Sequence, residues 1–185
     1  PTSPQGCVGV AEDFVITIHP NPTVSFYADS LVGCEPFVTM FHNTTDIPGQ
    51  NCVWDFGTGL GATGCDSVTG IFGSGVYSIT LNVTTPFGCF GSASISNYIT
   101  VYDQAEAEFS FAPQIINIDD TEVQFTNASD FADTYQWDFG DTTPFVIQVN
   151  PSHTYPVRPS QYLVTLIASN NGMCPDTAQQ IVIIQ

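Results

Sequence analysis

Acidic side chains in a glycine turn are the first residues that could do chemistry. Asp138 and Asp141 flank Gly140 in the run Trp-Asp-Phe-Gly-Asp, and their carboxylates are ligands that Ca²⁺ prefers. A calcium site needs about six to eight convergent oxygens, whereas Asp in a glycine turn commonly accepts hydrogen bonds from turn amides. We therefore predict that these acids are structural and that the protein has no cofactor. Calcium at Asp138 and Asp141 is the weaker alternative.

The histidines and carboxylates give no recognisable catalytic pattern. His19, His42 and His153 lie far apart in the sequence, and none stands in a nucleophile motif with Ser or Cys. A catalytic pair of carboxylates would need a cleft that raises the pKa of one of them, and nothing in the sequence marks a cleft. We predict that the protein is not an enzyme.

The cysteines favour an oxidising, extracellular setting. Six cysteines are spread along the chain without a CxxC pair or clustered histidines, so the spacing of a metal–thiolate site is absent. They occupy positions Cys7, Cys34, Cys52, Cys65, Cys89 and Cys174. Disulfide bonds are the better explanation for such a pattern, and they persist outside the cytosol.

Aromatic side chains in loops are the candidates for ligand contact. The chain has 14 Phe, 7 Tyr and 2 Trp, and most of them stand at alternate positions of predicted strands, where they fill a core. Four phenylalanines fall in predicted loops: Phe87, Phe90, Phe131 and Phe145. They could stack on sugar rings or contact a protein partner, or they could simply pack their own loops.

The charge of the chain excludes several classes of partner. A single basic residue, Arg158, stands against 18 acidic residues and gives a net charge of −17. Such a protein is repelled by nucleic acids and by anionic membrane surfaces. No apolar run approaches the roughly 18 to 20 residues that a membrane-spanning helix requires. We therefore predict no nucleic-acid partner and no membrane insertion.

Internal repetition with a period of about 84 residues organises the chain. The spacing is kept by several pairs of landmarks: Trp54 and Trp137, Tyr77 and Tyr162, and Cys89 and Cys174. The start of the chain joins the series, because residues 1–18 resemble the end of a repeat. We predict that residues 1–18 are the final strand of a preceding repeat in a longer protein, followed by complete repeats at 19–102 and 103–185.

Each repeat has the pattern of an all-β domain. Segments such as Tyr77 to Val83 and Tyr162 to Ile167 alternate between apolar and polar residues, and turn residues separate them. No window has the apolar stripe of an amphipathic helix, and Thr, Val and Ile dominate. About seven strands per repeat, with a buried Trp on a central strand, predict tandem immunoglobulin-like β-sandwiches.

The second repeat resembles the PKD domain. The resemblance is carried by three segments: Tyr-Gln-Trp-Asp-Phe-Gly-Asp at 135–141, Pro-Ser-His-Thr-Tyr at 151–155 and Gln-Tyr-Leu-Val-Thr-Leu at 161–166. It extends to the first repeat, which departs from the pattern because Thr58 replaces the turn acid and no Pro-x-His-x-Tyr precedes Tyr77. The resemblance implies an immunoglobulin-like PKD fold, with His153 as a structural residue.

Gly-Cys dipeptides extend the resemblance to a class of surface proteins. Gly33-Cys34 and Gly88-Cys89 are similar to dipeptides in the tandem PKD repeats of large secreted surface proteins of Bacteroidota. These include gliding-motility adhesins and other clients of the type IX secretion system. The same resemblance implies O-glycosylation where Asp-Ser or Asp-Thr is followed by an apolar residue or Thr. The candidate residues are Ser30, Ser67, Thr142 and Thr177.

Sandwich topology leaves two schemes of disulfide pairing open. The slightly favoured scheme places both bonds within the first repeat: Cys52 with Cys89 and Cys34 with Cys65. The alternative is a bond between the repeats, from Cys34 to Cys174, which would stiffen the array and explain why the second repeat holds a single Cys. In the first scheme Cys7 has its partner upstream or in another chain.

Together these features favour a structural function. We predict a non-enzymatic, extracellular stalk or adhesive module of a large bacterial cell-surface repeat protein. Its expected partners are neighbouring repeats of the same chain, and surface polysaccharide or other surface proteins are further candidates. The alternative is an accessory polysaccharide- or protein-binding module of a secreted hydrolase. Self-assembly, in which a strand of one chain completes the sandwich of the next, is a third hypothesis.

Overall fold

The protein is built from β-strands. The computed structural model describes residues 13–49 and 51–185, and these residues contain strands, turns and loops but no helix. It follows that no helix of this part of the chain could span a membrane. The prediction of an all-β fold of immunoglobulin-like sandwiches is confirmed. Most of the predicted strand at 1–18 lies outside the described residues, and its described part, residues 13–18, pairs with no other strand there.

The first half of the chain forms one sandwich of two sheets. Its strands are β1 (Phe26–Ala28), β2 (Val32–Cys34), β3 (Phe37–Asn43), β4 (Asn51–Asp55), β5 (Gly61–Thr63), β6 (Ser67–Phe72), β7 (Gly75–Thr84) and β8 (Phe90–Tyr102). One sheet has the order β1-β3-β6 and the other β2-β8-β7-β4-β5. Strand β2 runs parallel to the end of β8, and the other pairs are antiparallel. We call this unit the first sandwich.

The second half forms a similar unit, the second sandwich. Its strands are β9 (Phe109–Ala112), β10 (Glu122–Asn127), β11 (Thr134–Asp138), β12 (Ser152–Thr154), β13 (Ser160–Asn170) and β14 (Met173–Ile184). The sheets have the orders β12-β10-β9 and β11-β13-β14, and every pair is antiparallel. A single bridge between Trp137 and Val146 extends the second sheet beyond β11. The two sandwiches therefore place equivalent strands in equivalent positions.

Each sandwich has its own aromatic core around one tryptophan. Trp54 and Trp137 are both almost fully buried. Each indole N–H donates to a backbone carbonyl, that of Gly64 at 3.0 Å and that of Gln148 at 2.8 Å, so neither buried ring leaves its polar atom unpaired. The alternation of β7 and β13 supplies the aliphatic part of each core.

Some strands were not predicted from the sequence. Strand β6 contains Gly70, which interrupts the β-forming pattern. A Cβ atom at this position would lie 2.8 Å from the Phe41 ring and 2.7 Å from the Phe72 ring, so only glycine fits beneath these aromatic side chains. Strands β2 and β12 have three residues each, which is too short for a period of two to stand out.

Candidate functional site at the junction of the two sandwiches

The junction is formed by the ends of β2 and β8 and by the β13–β14 hairpin. Parallel pairing of β2 with β8 places Cys34 opposite Tyr102, and the next amide, of Glu35, donates to the Tyr102 carbonyl at 3.1 Å. Cys34 is bonded to Cys174 of the second sandwich, with the two Cα atoms 5.5 Å apart. A covalent bond therefore crosses from one sandwich to the other.

This bond corrects the favoured disulfide scheme. Cys34 pairs with Cys174 rather than with Cys65, and the bond between repeats, which the sequence had left open, is the one present. The reason is that β2 adds to the edge of the β8 sheet and follows β8 toward the second sandwich. The end of β2 is thereby carried away from Cys65 and toward the β13–β14 hairpin.

The second bond lies within the first sandwich. Cys52 is bonded to Cys65, with a Cα–Cα distance of 5.0 Å. The predicted pairing of Cys52 with Cys89 was therefore wrong. Strand β4 turns back into β5, which pairs with it and returns the chain to Cys52. Asn43 donates its side-chain N–H to the Cys65 carbonyl at 2.8 Å and holds this loop in place.

Side chains of the β13–β14 hairpin hold the last residues of the first sandwich. The Asn171 amide donates to the Tyr102 hydroxyl at 2.7 Å. The Asn170 amide donates to the Asp103 carbonyl at 3.2 Å. These bonds join the exit of β8 to the hairpin, so the junction has both covalent and polar restraints.

The linker between the sandwiches is also fixed. Gln104 donates its side-chain N–H to the carbonyl of Cys174 at 3.2 Å, and the backbone N–H of Ala105 donates to the same oxygen at 3.2 Å. The Ala107 amide donates to an Asp176 carboxylate oxygen at 2.8 Å. Ala105 itself is 2% exposed. The linker therefore runs along the start of β14 and is not a free tether.

The proposed calcium ligands are engaged in turn hydrogen bonds. Asp138 accepts from the Gly140 amide at 2.9 Å, and Asp141 accepts from the Thr143 amide at 3.2 Å. In the first sandwich Asp55 accepts the equivalent bond from the Gly57 amide at 2.8 Å. No group of three or more His, Cys, Asp or Glu able to hold a metal occurs among the described residues.

Asp141 and His153 form a buried pair in the second sandwich. Their side chains are 3% and 13% exposed, and Asp141 Oδ2 lies 2.8 Å from His153 Nε2. Burial by itself raises the pKa of Asp141, but hydrogen bonds from the Thr143 and His153 side chains outweigh it and hold this pKa below its usual value. The His153 ring stacks on Phe139 at 4.1 Å between centroids, so the pair is built into the core wall.

The four candidate phenylalanines are exposed but dispersed. Phe87, Phe90, Phe131 and Phe145 are 67%, 55%, 57% and 60% exposed. Phe87 lies in the β7–β8 turn. The predicted loop position of Phe90 was wrong, because Phe90 pairs with Thr84 and is the first residue of β8. The other two stand in separate loops of the second sandwich. Phe87 stacks on the His19 ring with centroids 3.5 Å apart, which is a contact within the chain.

The four candidate glycosylation residues are all at the surface. Ser30, Ser67, Thr142 and Thr177 are exposed, so their hydroxyls can be reached from solvent. Ser67 already hydrogen-bonds to a neighbouring histidine.

The structure brings together an Asp-His-Ser group that the sequence did not reveal. Asp29 Oδ1 lies 2.8 Å from His42 Nε2, and Ser67 Oγ lies 3.0 Å from His42 Nδ1. The three residues come from different strands and loops, and only the register of β3 with β6, which pairs His42 with Ser67, could have indicated the contact. The Asp29 side chain is 56% exposed, so water screens the group, whereas a catalytic triad works in a water-excluded site with an oxyanion hole.

Comparison with known proteins finds a family match within the second sandwich. Residues 106–184 match the PKD domain. No curated protein matches the sequence. Three solved structures are among those similar to this chain. The PKD1 domain of Vibrio anguillarum Epp is 23% identical over 44% of this chain and 94% of its own, with a TM-score of 0.38.

The other two structures cover more of the chain at lower identity. Fibronectin(III)-like modules of Clostridium thermocellum CbhA are 12% identical over 86% of this chain and 93% of their own, with a TM-score of 0.47. Murine CEACAM1b is 13% identical over 88% of this chain and 98% of its own, with a TM-score of 0.48. PKD domains such as the match at 106–184 are generally non-catalytic modules of extracellular proteins.

Proposed function

We propose that the chain is a non-enzymatic structural segment of a large extracellular repeat protein, where it acts as a stiff stalk module. The observation that carries this proposal is the Cys34–Cys174 disulfide across the junction. A stalk has to transmit force and orientation from one domain to the next, and domains joined only by a flexible linker would swivel. The proposed function requires no cofactor.

The position of the disulfide suits a load-bearing role. Its two cysteines are separated by 140 residues, so the bond closes a loop that contains most of both sandwiches. When the chain is pulled from its ends, the force passes from Cys34 directly to Cys174. Unfolding of the residues that lie inside the loop, between Cys34 and Cys174, then adds no length to the stalk.

Pulling single molecules from both termini tests this role. Opening the bond releases the 140 residues that it spans, less the 13 that the Cys52–Cys65 bond still closes. At about 3.5 Å per residue, this is roughly 440 Å of added contour length. We expect the double variant Cys34→Ala/Cys174→Ala to extend by about this amount more than the unreduced wild type. Equal lengths for the two proteins would contradict the load-bearing proposal.

A matched control is available inside the same loop. Cys52 and Cys65 are separated by 13 residues and lie between the two junction cysteines. The variant Cys52→Ala/Cys65→Ala removes a disulfide without lengthening the route that carries force, because Cys34–Cys174 still bypasses that segment. Its final extension should equal that of the wild type. The comparison therefore tests whether extension depends on where a disulfide lies or only on how many disulfides the protein has.

The cellular setting is part of the same proposal. The resemblance to Bacteroidota surface repeats suggests export by the type IX secretion system and a place in an adhesin or gliding filament. Exposed hydroxyls at Ser30, Ser67, Thr142 and Thr177 are compatible with O-glycosylation. Peptide mass spectrometry of protein from its native source would test for sugar at these residues, and protease shaving of intact cells would test for surface exposure. An unmodified, protease-protected chain would contradict this setting.

Exposed aromatic residues support a second candidate, an accessory module that binds polysaccharide or protein. Phe131 and Phe145 leave more than half of their side chains in solvent, and aromatic rings are suited to stacking on sugars. Binding to a panel of insoluble polysaccharides would be compared for the wild type and for Phe131→Ala and Phe145→Ala. Retention that falls with either substitution would favour this candidate over the stalk.

A further inference from the structure

The segment that enters the first sandwich follows the same course as the linker that enters the second. Phe26 packs edge-on against Trp54 as Phe109 packs against Trp137, at centroid distances of 5.3 and 5.1 Å. This contact aligns positions that differ by 83 residues, so His19 corresponds to Tyr102.

Backbone bonds confirm the alignment. In the second sandwich the amides of Glu106 and Asp130 each donate to the other residue's carbonyl at 3.0 Å. In the first sandwich the corresponding residues are Thr23 and Asp46. The Asp46 amide donates to the Thr23 carbonyl at 3.4 Å, and the Thr23 amide donates to an Asp46 carboxylate oxygen at 2.7 Å. Both entering segments are therefore attached to the same loop of their sandwich.

His19 contacts the β7–β8 hairpin in the same way that Tyr102 contacts the β13–β14 hairpin. The Phe87 ring stacks on His19, in the place where Asn171 donates to the Tyr102 hydroxyl. The Cys89 thiol lies 3.5 Å from the His19 carbonyl oxygen. In the second sandwich Cys174 is the equivalent of Cys89. Cys174 is bonded to Cys34, which lies opposite Tyr102 on the neighbouring strand β2.

The segment before His19 has the pattern of a buried strand but is uncovered. Ile16 and Ile18 are 84% and 85% exposed. Their equivalents in β8, Ile99 and Val101, are 0% and 4% exposed because they line the core of the first sandwich. A run of alternating apolar residues in solvent is unfavourable for an isolated protein, and it is expected where a sandwich supplies the missing core.

We propose that Cys89 is bonded to a cysteine of a further sandwich located N-terminal to residue 13 in the same polypeptide. That cysteine occupies the place that Cys34 holds beside Tyr102, on a strand parallel to residues 14–18. The same sandwich buries Ile16 and Ile18. The proposal rests on the stalk function above and extends it, because the junction bond then recurs from one repeat to the next.

Formation of the bond is an oxidation with a defined balance. The Cys89 thiol and the partner thiol each lose a proton and together give up two electrons as the S–S bond forms. A disulfide-carrying oxidoreductase of the secretory route accepts the electrons and is reduced to its dithiol. Among the described residues no other cysteine is bonded to Cys89, and its side chain is only partly buried, so it is accessible to this reaction.

Cys7 is the competing partner within this chain. It lies outside the described residues, but Gly6-Cys7 has the same dipeptide pattern as Gly88-Cys89. By that sequence pattern Cys7 corresponds to Cys89 one repeat earlier, so we expect its own partner to lie one repeat further upstream. The proposal therefore assigns different partners to Cys7 and Cys89.

Disulfide mapping of the complete protein from its native source tests the assignment. Free thiols are blocked before the unreduced protein is digested with pepsin at acidic pH, which suppresses disulfide exchange and suits a chain with one basic residue. We expect Cys89 in a peptide linked to a cysteine upstream of Pro1, and a monomer on non-reducing gels. A Cys7–Cys89 link, a blocked Cys89 thiol or a bond to a second copy would each overturn the proposal.

The same digest distinguishes failure of this inference from failure of the stalk proposal. A Cys34–Cys174 peptide serves as the internal reference. If that peptide is found while Cys89 is free or bonded to Cys7, the inference is wrong and the stalk junction still exists. If Cys34–Cys174 is missing, the stalk proposal loses the observation on which it rests. The isolated 185-residue chain provides a further check, because a maleimide should label Cys89 there and leave Cys174 unlabelled.

Discussion

Replacing Trp137 with Ala should strongly destabilise the second sandwich and leave the stability of the first unchanged. The indole is fully buried, and its neighbours Phe109 and Phe125 lie with ring centroids 5.1 and 5.6 Å away. Removing a large aromatic side chain from such a core costs about 3–5 kcal/mol. The lost hydrogen bond to Gln148 adds little, because that residue is exposed and water can replace the donor. A unit of about 80 residues has a total stability of roughly 4–12 kcal/mol, so the loss is a large fraction of it.

Hydrogen exchange measured by mass spectrometry resolves the two sandwiches separately. A loss of 3–5 kcal/mol lowers the protection of amides that exchange only by global opening by about 10²- to 10⁴-fold. We expect this loss in β13 and unchanged protection in β7. Leu163→Ala is the matched control on β13, because that side chain is 49% exposed and should cost little. Unchanged protection of β13 in the Trp137 variant, or an equal loss in β7, would refute the idea of two cores with separate stability.

Three further outcomes are expected. Asp141→Asn should destabilise the second sandwich by about 1.5–3 kcal/mol in urea denaturation, since it removes a charged hydrogen-bond acceptor. Folding lowers the pKa of Asp141, so its carboxylate stabilises the wild type fully at pH values above its usual pKa of 3.8. This contribution should decline as the pH falls below that value, and the Asn variant should lack this pH dependence. Cys52→Ala/Cys65→Ala should cost the first sandwich about 3 kcal/mol, as estimated for a loop of this size, with β13 exchange unaffected. Ser67 should remain unlabelled by a fluorophosphonate probe, and labelling that disappears in His42→Ala would contradict a non-catalytic surface group.

The sequence was sufficient for the fold class because an all-β fold is indicated by short-range patterns. Alternation in segments such as Tyr77 to Val83 reports the two faces of a strand directly. The Trp54 and Trp137 landmarks each mark one core, and they recur at the period of the repeat. The division into repeats at 19–102 and 103–185 stays a prediction in its exact limits.

Disulfide pairing could not be obtained in the same way, because it depends on which sheet edge a short strand joins. Val32–Cys34 is only three residues long, and its choice of the β8 edge decides that Cys34 leaves the first sandwich. The position of Cys65 depends on the β4–β5 hairpin, whose strand Gly61–Thr63 has no alternating pattern. Such choices are made by long-range packing and are weakly encoded locally.

The Asp29–His42–Ser67 group is a contact that the sequence could not have predicted. Each of its residues is unremarkable in sequence, and the contact exists only because β3 and β6 pair with His42 opposite Ser67. The geometry of a triad can thus arise on an open sheet surface from register alone. Hydrogen-bond distances by themselves are therefore poor grounds for assigning catalysis, above all in a group whose acid is as exposed to water as Asp29.

Together the disulfides define how far a repeat could be stretched. With Cys89 bonded to the preceding repeat, force would enter the first sandwich at Cys89 and leave it at Cys34. The Cys52–Cys65 bond shortens the backbone between these points by 13 residues. The covalent route through a repeat of about 85 residues is then roughly 42 residues, or about 150 Å at full extension. If the chain acts as the proposed stalk, these covalent bonds would therefore set the limit to which each repeat extends under force.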